Sequence, residues 1–327
     1  MKIAIIGAGA IGGYLGAKLA LAGEDVTFLV RGANLRAIQA DGIKIILADG
    51  TEQVARQVRA TNDYRDAGTH DVVVLAMKAH QLGAVADDVP LLCGPDTVVV
   101  PMQNGIPYWY FHKLAGPFDG RTLQSVDPDG RIGRAITPDR VLGCVVYPAS
   151  ELVAPGVVRH IEGDRFPLGE LDGSLSARAQ SVSDAFVRGG FKAPLLADIR
   201  SEIWLKLWGN LVFNPVSALT RATLEDICRF APTRELAAFM MSEAQQVAAK
   251  LGVTFRVSID RRIAGAEKVG AHKTSMLQDI EAGREPEIEA LVGSVVELAR
   301  LTGTPTPHID AVYALTRLLG RSVAAPA

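Results

Sequence analysis

Lys2-Ile-Ala-Ile-Ile6, followed at once by Gly7-Ala-Gly9-Ala-Ile-Gly12-Gly13, is where the fold of this chain can be read. A short apolar, largely β-branched run that stops at a glycine reads as a strand of a parallel sheet, buried on both faces. Gly12 to Ala22 reads as a helix, and Asp25-Val-Thr-Phe-Leu-Val30 as a second strand. Strand, helix, strand at this spacing is a βαβ unit. The glycines between strand and helix then have separate tasks. Gly7 permits the tight turn, Gly9 lets the backbone approach a pyrophosphate, and Gly12 lets the helix pack close to the strand. The helix start offers N–H groups and a positive dipole end to phosphates. A glycine-rich turn without a ligand is the bland alternative.

Working outward, residues 71–77 and 97–102 are further apolar strands, and 141–147, 157–160 and 193–196 are shorter ones. A helix is expected over 174–188 and a surface loop over 127–138, where Gly, Asp, Arg and Pro collect without a period. From about Asp198 strand-like runs stop, and amphipathic stretches at 200–219, 233–252, 258–282, 285–302 and 307–320 follow. The fold class expected is α/β: an N-terminal Rossmann-type, doubly wound parallel sheet over residues 1–197, then an all-helical domain over 198–327. The Ala-rich end, 323–327, reads as frayed.

Ligands of open parallel sheets sit beyond the carboxyl ends of the strands. The second strand ends Val30-Arg31-Gly32-Ala33-Asn34, with no acid to accept from a ribose 2′-hydroxyl. Arg31 could instead pair with a 2′-phosphate, with Asn34 and Arg36 near in sequence, so NADP(H) is the better reading than NAD. Lys78 and Gln81 follow the 71–77 strand, and Asn104-Gly105 follows the 97–102 strand. Lys78 would lie near the cofactor phosphates or nicotinamide ribose and Asn104 near the nicotinamide. A solvated lysine and an Asn-Gly turn are their bland alternatives.

The helical half opens with Arg200-Ser-Glu-Ile-Trp-Leu-Lys-Leu-Trp-Gly-Asn-Leu-Val-Phe-Asn-Pro215. At about 3.6 residues per turn, Lys206, Asn210 and Asn214 share one stripe of an otherwise apolar helix. Two readings stay open. The stripe lines a cavity and offers a cation to a ligand, or Lys206 pairs with Glu202 while the backbone satisfies the asparagines.

Composition narrows the classes. Net charge is −2, with 48% hydrophobic and 21% charged residues and no dense basic run, so neither nucleic acid nor a membrane surface is an expected partner. Cys93, Cys144 and Cys228 lie far apart, which signals no disulfide framework or metal site and fits a reducing cytoplasm. The apolar N-terminal run is too short for a signal-peptide core. No GxSxG or HExxH is present, and the six histidines are scattered, so a hydrolase finds no support.

Several segments together resemble the ketopantoate reductase family over nearly the full length. They are Ile3 to Gly13, Met77-Lys-Ala-His-Gln81, Gln103-Asn-Gly105, Glu202 to Pro215, Ser275-Met-Leu-Gln-Asp-Ile280 and Glu287-Ile288. The resemblance implies a helical domain like that of 6-phosphogluconate dehydrogenase and NADPH-dependent reduction of 2-dehydropantoate to pantoate, in the route to pantothenate and coenzyme A. It implies that Lys206 is the catalytic lysine and that Glu287 completes the polar cluster around it. Asn104, Asn210 and Asn214 would contact the substrate, and Ser275 would bind its carboxylate. NADP(H) would lie on Gly7, Ala8, Gly9, Ala10, Ile11, Gly12, Arg31, Lys78, Gln81 and Asn104. Without the resemblance, Ser275 would read as a helix cap and Glu287 as an exposed helix residue.

Two departures bear on the substrate. Tyr108-Trp-Tyr-Phe111 is an aromatic run that is either core or pocket wall, and Thr223-Leu224 stands where many family members carry Asn-Gly. A 2-keto acid is therefore the safer substrate class. Rival readings are a β-hydroxyacid-type dehydrogenase and a non-catalytic NADP-binding sensor, which would need the glycine loop but no proton donor. A homodimer through apolar helical surfaces is the assembly expected.

Overall fold

In the computed structural model, which describes residues 1–324, β1 (Lys2–Ile6) is the middle strand of a five-stranded sheet. Its partners are β2 (Asp25–Leu29), reached through α1 (Ala10–Leu21), and β6 (His70–Leu75). Outside these lie β5 (Arg59–Thr61), beside β2, and β7 (Cys93–Pro101), beside β6; α2 (Gly32–Asp41) follows β2 and α3 (Tyr64–Ala67) leads into β6. Every pairing is parallel. The chain winds outward one way through β2 and the other way from β6, so the order reverses beside β1. That reversal opens a crevice at the carboxyl ends of the strands. Four of the five β1 residues are buried, as the unbroken apolar run demands.

The turn after β1 is built as its glycines require. Gly7 adopts φ +99°, a region open to glycine, and donates its N–H to Leu29 O at 3.0 Å. A Cβ on Gly12 would lie 2.0 Å from Gly7 O and 2.7 Å from Ala76 Cβ, so α1 sits flush on the strand ends.

A second, four-stranded sheet was not anticipated by the sequence reading, which recognised only its run at 157–160 as a strand. It comprises β3 (Ile43–Ile46), β4 (Glu52–Ala55), β9 (Ala149–Ala154) and β10 (Val157–Glu162). It packs on α1, where a Cβ on Gly13 would meet Val158 and Ile43 side chains. That explains why α1 is apolar all round: sheets lie on both sides of it. A smaller antiparallel ribbon joins β8 (Leu142–Cys144) to β11 (Leu168–Glu170), beside α5 (Ala177–Arg188). Two expectations need correction. The 127–138 stretch holds α4 (Arg131–Ala135) as well as turns, and 193–196 makes only an isolated bridge, Leu168 to Leu195. The aromatic run is core, since Tyr108, Trp109, Tyr110 and Phe111 are all buried and Tyr108 donates to Ile136 O.

The chain divides into two compact units. One comprises Met1–Gln103, Tyr108–Thr122 and Asp129–Ile199; the other comprises Asn104–Pro107, Leu123–Pro128 and Arg200–Ala327, of which residues 325–327 lie outside the described residues. The second unit is helical: α6 (Ile199–Thr220), α7 (Leu224–Arg229), α8 (Ala231–Lys250), α9 (Ile259–Glu267), α10 (Ser275–Glu281), α11 (Ser294–Leu301) and α12 (Pro307–Ala324). Trp204 and Trp208 of α6 are fully buried, and the Trp208 indole N–H donates to Met241 O at 2.7 Å. The single helix expected over 258–282 is two, because Gly270 takes φ +83° and Thr274 starts α10 with a side-chain cap. The stretch expected from 285 becomes helical only at Ile288, through a wide π turn at Glu289–Gly293. Among the described residues no helix is long and apolar enough to cross a membrane.

Candidate active site

The first unit carries a groove of about 660 Å³ at the carboxyl ends of β1, β2 and β6. Gly7, Ala8 and Gly9 line it, with Arg31 and Asn34 from the start of α2, Asn62 and Tyr64 near α3, and Gln81 and Asp88 beyond β6. A Cβ built on Gly9 meets nothing within 4 Å. The fold therefore does not require glycine there, and the missing side chain leaves room for a ligand against the backbone. No side chain caps α1 and no acid occupies its first turn, so its positive end is open to an anion. This is the geometry a pyrophosphate needs, and the groove fits a dinucleotide.

The expected cofactor residues divide. Gly7, Ala8, Gly9, Arg31 and Gln81 line the groove. Ala10, Ile11 and Gly12 form the first turn of α1 rather than the wall. Lys78 is half-buried outside the lining, and its N–H donates to the Gln81 side chain at 3.3 Å. Asn34 lines the groove, yet its carboxamide is engaged. It donates to Ala8 O at 3.2 Å and accepts from Gly156 N–H at 3.0 Å, which ties the glycine loop to α2. Asn62, Tyr64 and Asp88 were missed by the sequence reading, because none stands at the end of a strand it had recognised. The Tyr64 phenol is pushed up to about 12, by burial first and by Asp88 next, with Arg31 opposing. Arg31 and Asp88 thus act on one phenol, and the groove holds an acid the β2 end lacks.

The second unit gathers a polar cluster. Lys206 and Asn210 are half-buried and Asn214 is buried on one stripe of α6, as their spacing predicts. The Lys206 ammonium donates to Asn104 Oδ1 at 2.7 Å. Asn104 Nδ2 in turn donates to Glu287 Oε2 at 3.4 Å. One carboxamide therefore links the lysine to the carboxylate across 102 and 183 residues of chain. Two turns farther along α6, Asn214 Nδ2 donates to Ser275 Oγ at 3.4 Å. Ser275 is exposed at the first position of α10, while Thr274 provides that helix with its cap. Asn104 belongs to this unit and is not among the groove-lining residues of the other. An ammonium held by a neutral oxygen, with a carboxylate behind it, amide donors farther along α6 and a hydroxyl at the start of α10, can polarise a carbonyl and hold a carboxylate.

The model of ketopantoate reductases PanE/ApbA matches residues 3–173, and that of their C-terminal domain matches residues 198–320. A 2-dehydropantoate 2-reductase from Mesorhizobium japonicum is 55% identical over 320 residues, 98% of each chain. The crystal structure of a protein assigned to the ketopantoate reductases, from Ralstonia solanacearum MolK2, superposes with a TM-score of 0.94 at 44% identity, covering 98% of both chains. A D-mandelate dehydrogenase solved with NADH and anilino(oxo)acetate shares the fold, with a TM-score of 0.85 at 22% identity over the whole of both chains.

Proposed function

The chain belongs to the ketopantoate reductase family, and from that premise we propose that it is an oxidoreductase reducing 2-dehydropantoate to (R)-pantoate with NADPH, for pantothenate and coenzyme A synthesis. The observation that carries the reading is the 2.7 Å hydrogen bond that fixes the Lys206 ammonium to Asn104, with Glu287 on the same carboxamide.

In this reading residues 1–197 form the NADP-binding domain and 198–327 the catalytic domain, which recruits Asn104 from the earlier part of the chain. NADPH, when bound, supplies the hydride that adds to the carbonyl carbon. The protein's own residues do the rest. Lys206 donates a hydrogen bond to the carbonyl oxygen, stabilises the negative charge that develops there, and gives up a proton to complete the hydroxyl. Asn104 and Glu287 hold the ammonium in direction. Ser275 and Asn214 offer hydroxyl and amide donors to the substrate carboxylate, with Asn210 between them and the lysine. On the cofactor side, Gly7 to Gly12 would cradle the pyrophosphate and Arg31 would pair with the 2′-phosphate. Lys78 and Gln81 would complete that site from the loop after β6, and Asn104 would reach the nicotinamide. The assembly proposed is a homodimer through the helical surface, where Phe239, Leu315 and Leu318 are exposed.

The test is NADPH oxidation against a panel of 2-keto acids. Turnover greatest with 2-dehydropantoate is expected. A greater rate with an aromatic keto acid would reassign the substrate, and tight NADPH binding without turnover on any of them would leave a sensor.

A further inference from the structure

The groups that hold Asn104 in place form a device of their own within the helical unit. In an α-helix the Ser294 N–H would donate to the carbonyl four residues back, that of Ala290. In the π turn it donates to Glu289 O instead. The Ala290 carbonyl takes other donors: the Ser294 hydroxyl at 2.7 Å and the Ile106 N–H at 3.0 Å. Gly105 lies flat on the same peptide. A Cβ there would stand 2.1 Å from Ala290 O and 2.5 Å from its carbonyl carbon, and the residue has φ +88°. Ser294 is fully buried. The two residues after Asn104 are therefore clamped to the π turn, and that turn begins just after Glu287, which accepts from the Asn104 amide.

The extra residue of a π turn also sets orientation. Closing it to an α turn would rotate everything before it by about 100° about the helix axis. Glu287 would swing away from Asn104, and the Ala290 carbonyl would turn back into the helix. Glu289, inside the turn, is held by the Tyr313 hydroxyl at 2.7 Å and by Arg317 at 3.4 Å, which opposes that closure.

We propose that Ser294 and Gly105 are positioning residues of the reductase: through the Ala290 carbonyl they set the Asn104 carboxamide against Lys206 and Glu287, and so aim the proton donor. This rests on the catalytic reading of Lys206. The geometry matters because the Asn104–Glu287 bond is already long at 3.4 Å, so a small displacement breaks it.

The experiment compares Ser294→Ala, Ser294→Thr, Gly105→Ala and Lys206→Ala with wild type in steady-state kinetics, the pH dependence of kcat, NADPH affinity and thermal unfolding. Misplacing a catalytic group by about 1 Å costs up to about 100-fold in rate. On that scale Ser294→Ala is expected to lower kcat roughly tenfold and to shift the pH profile, and Gly105→Ala to lower kcat roughly 100-fold. NADPH affinity should stay within about twofold, and KM should move less than kcat. Ser294→Thr keeps a hydroxyl on the same carbonyl and should restore most of the rate. If Gly105→Ala does not fold, the serine pair decides alone. A Ser294→Ala enzyme that melts earlier but keeps the wild-type kcat and pH profile overturns the proposal while an inactive Lys206→Ala leaves the catalytic reading standing. Full turnover by Lys206→Ala overturns both.

Discussion

Replacing Lys206 removes two things at once, and two substitutions separate them. Lys206→Ala deletes the donor to Asn104 Oδ1 and the only proton the cluster is proposed to give. Lys206→Gln keeps an N–H that can reach toward that oxygen but has no proton to lose. A positioned general acid is worth about 10²–10⁴ in rate, and one oxyanion donor about 10²–10³. The two overlap on a single atom, so they do not multiply. A loss of about 10³ in kcat is expected for alanine, near 4 kcal/mol at about 1.4 kcal/mol per decade. Glutamine should recover roughly one of those three orders, not all of them, because it can polarise but cannot protonate. Cofactor binding should change little in either variant, since the groove residues form a separate set. Single-turnover oxidation of NADPH, followed by absorbance with saturating 2-dehydropantoate, reads the chemical step. Small primary amines added to Lys206→Ala should restore part of the rate. An alanine variant within tenfold of wild type, or one insensitive to amines and equal to glutamine, would refute proton donation by this residue.

Two further outcomes follow from the groove and from the first unit's core. Arg31→Ala should weaken NADPH by about 10- to 100-fold, the worth of a charge-assisted contact, and leave NADH almost unmoved; equal losses for both cofactors would remove Arg31 from phosphate recognition. Glu170 is buried, and burial alone would raise its pKa, but hydrogen bonds from Arg178 and Ser176 and the guanidinium charge outweigh that and hold it below the ordinary range. A carboxylate lowered in the folded state adds stability above its unfolded pKa, about 4.3, and loses it as the pH falls through the lower folded value. Thermal unfolding from pH 6 to about 3 should therefore decline more steeply in wild type than in Glu170→Gln. Parallel curves would show that the pair contributes nothing to acid stability.

Lys2 to Gly13 disclosed the parallel sheet because local chemistry and global role coincide there: an unbroken apolar strand, a glycine at positive φ, and a helix pressed on the strand end. The α6 stripe was legible because three polar residues at helical spacing stand out in an apolar helix. The second sheet was not, though Asp49-Gly50 between two strands is a hairpin signal, because β4 is short and mostly half-exposed and its apolar pattern is weak. Asp88 escaped since it lies in a turn after β6, where no periodicity marks its direction. The split of 258–282 depended on Gly270 and Thr274, punctuation inside a stretch whose apolar residues suggested continuity. The π turn could not be foreseen, because its register is decided by donors from residues far off in sequence, Ile106 among them.

The interleaving of the two compact units has a consequence for anyone who would divide this gene. A truncated gene starting at residue 198 encodes every helix from α6 onward and still leaves out Asn104–Pro107. Its product would possess the amine and the carboxylate but not the Asn104 amide that links them, and its Ala290 carbonyl would keep the Ser294 hydroxyl while losing the Ile106 N–H. Hybrids that exchange halves between relatives meet the same difficulty, since Asn104–Pro107 and Leu123–Pro128 of one parent must then fit the helices of the other. Shuffling at a single crossover should thus yield proteins that fold and bind nucleotide yet turn over slowly, unless both parents agree at 104–107.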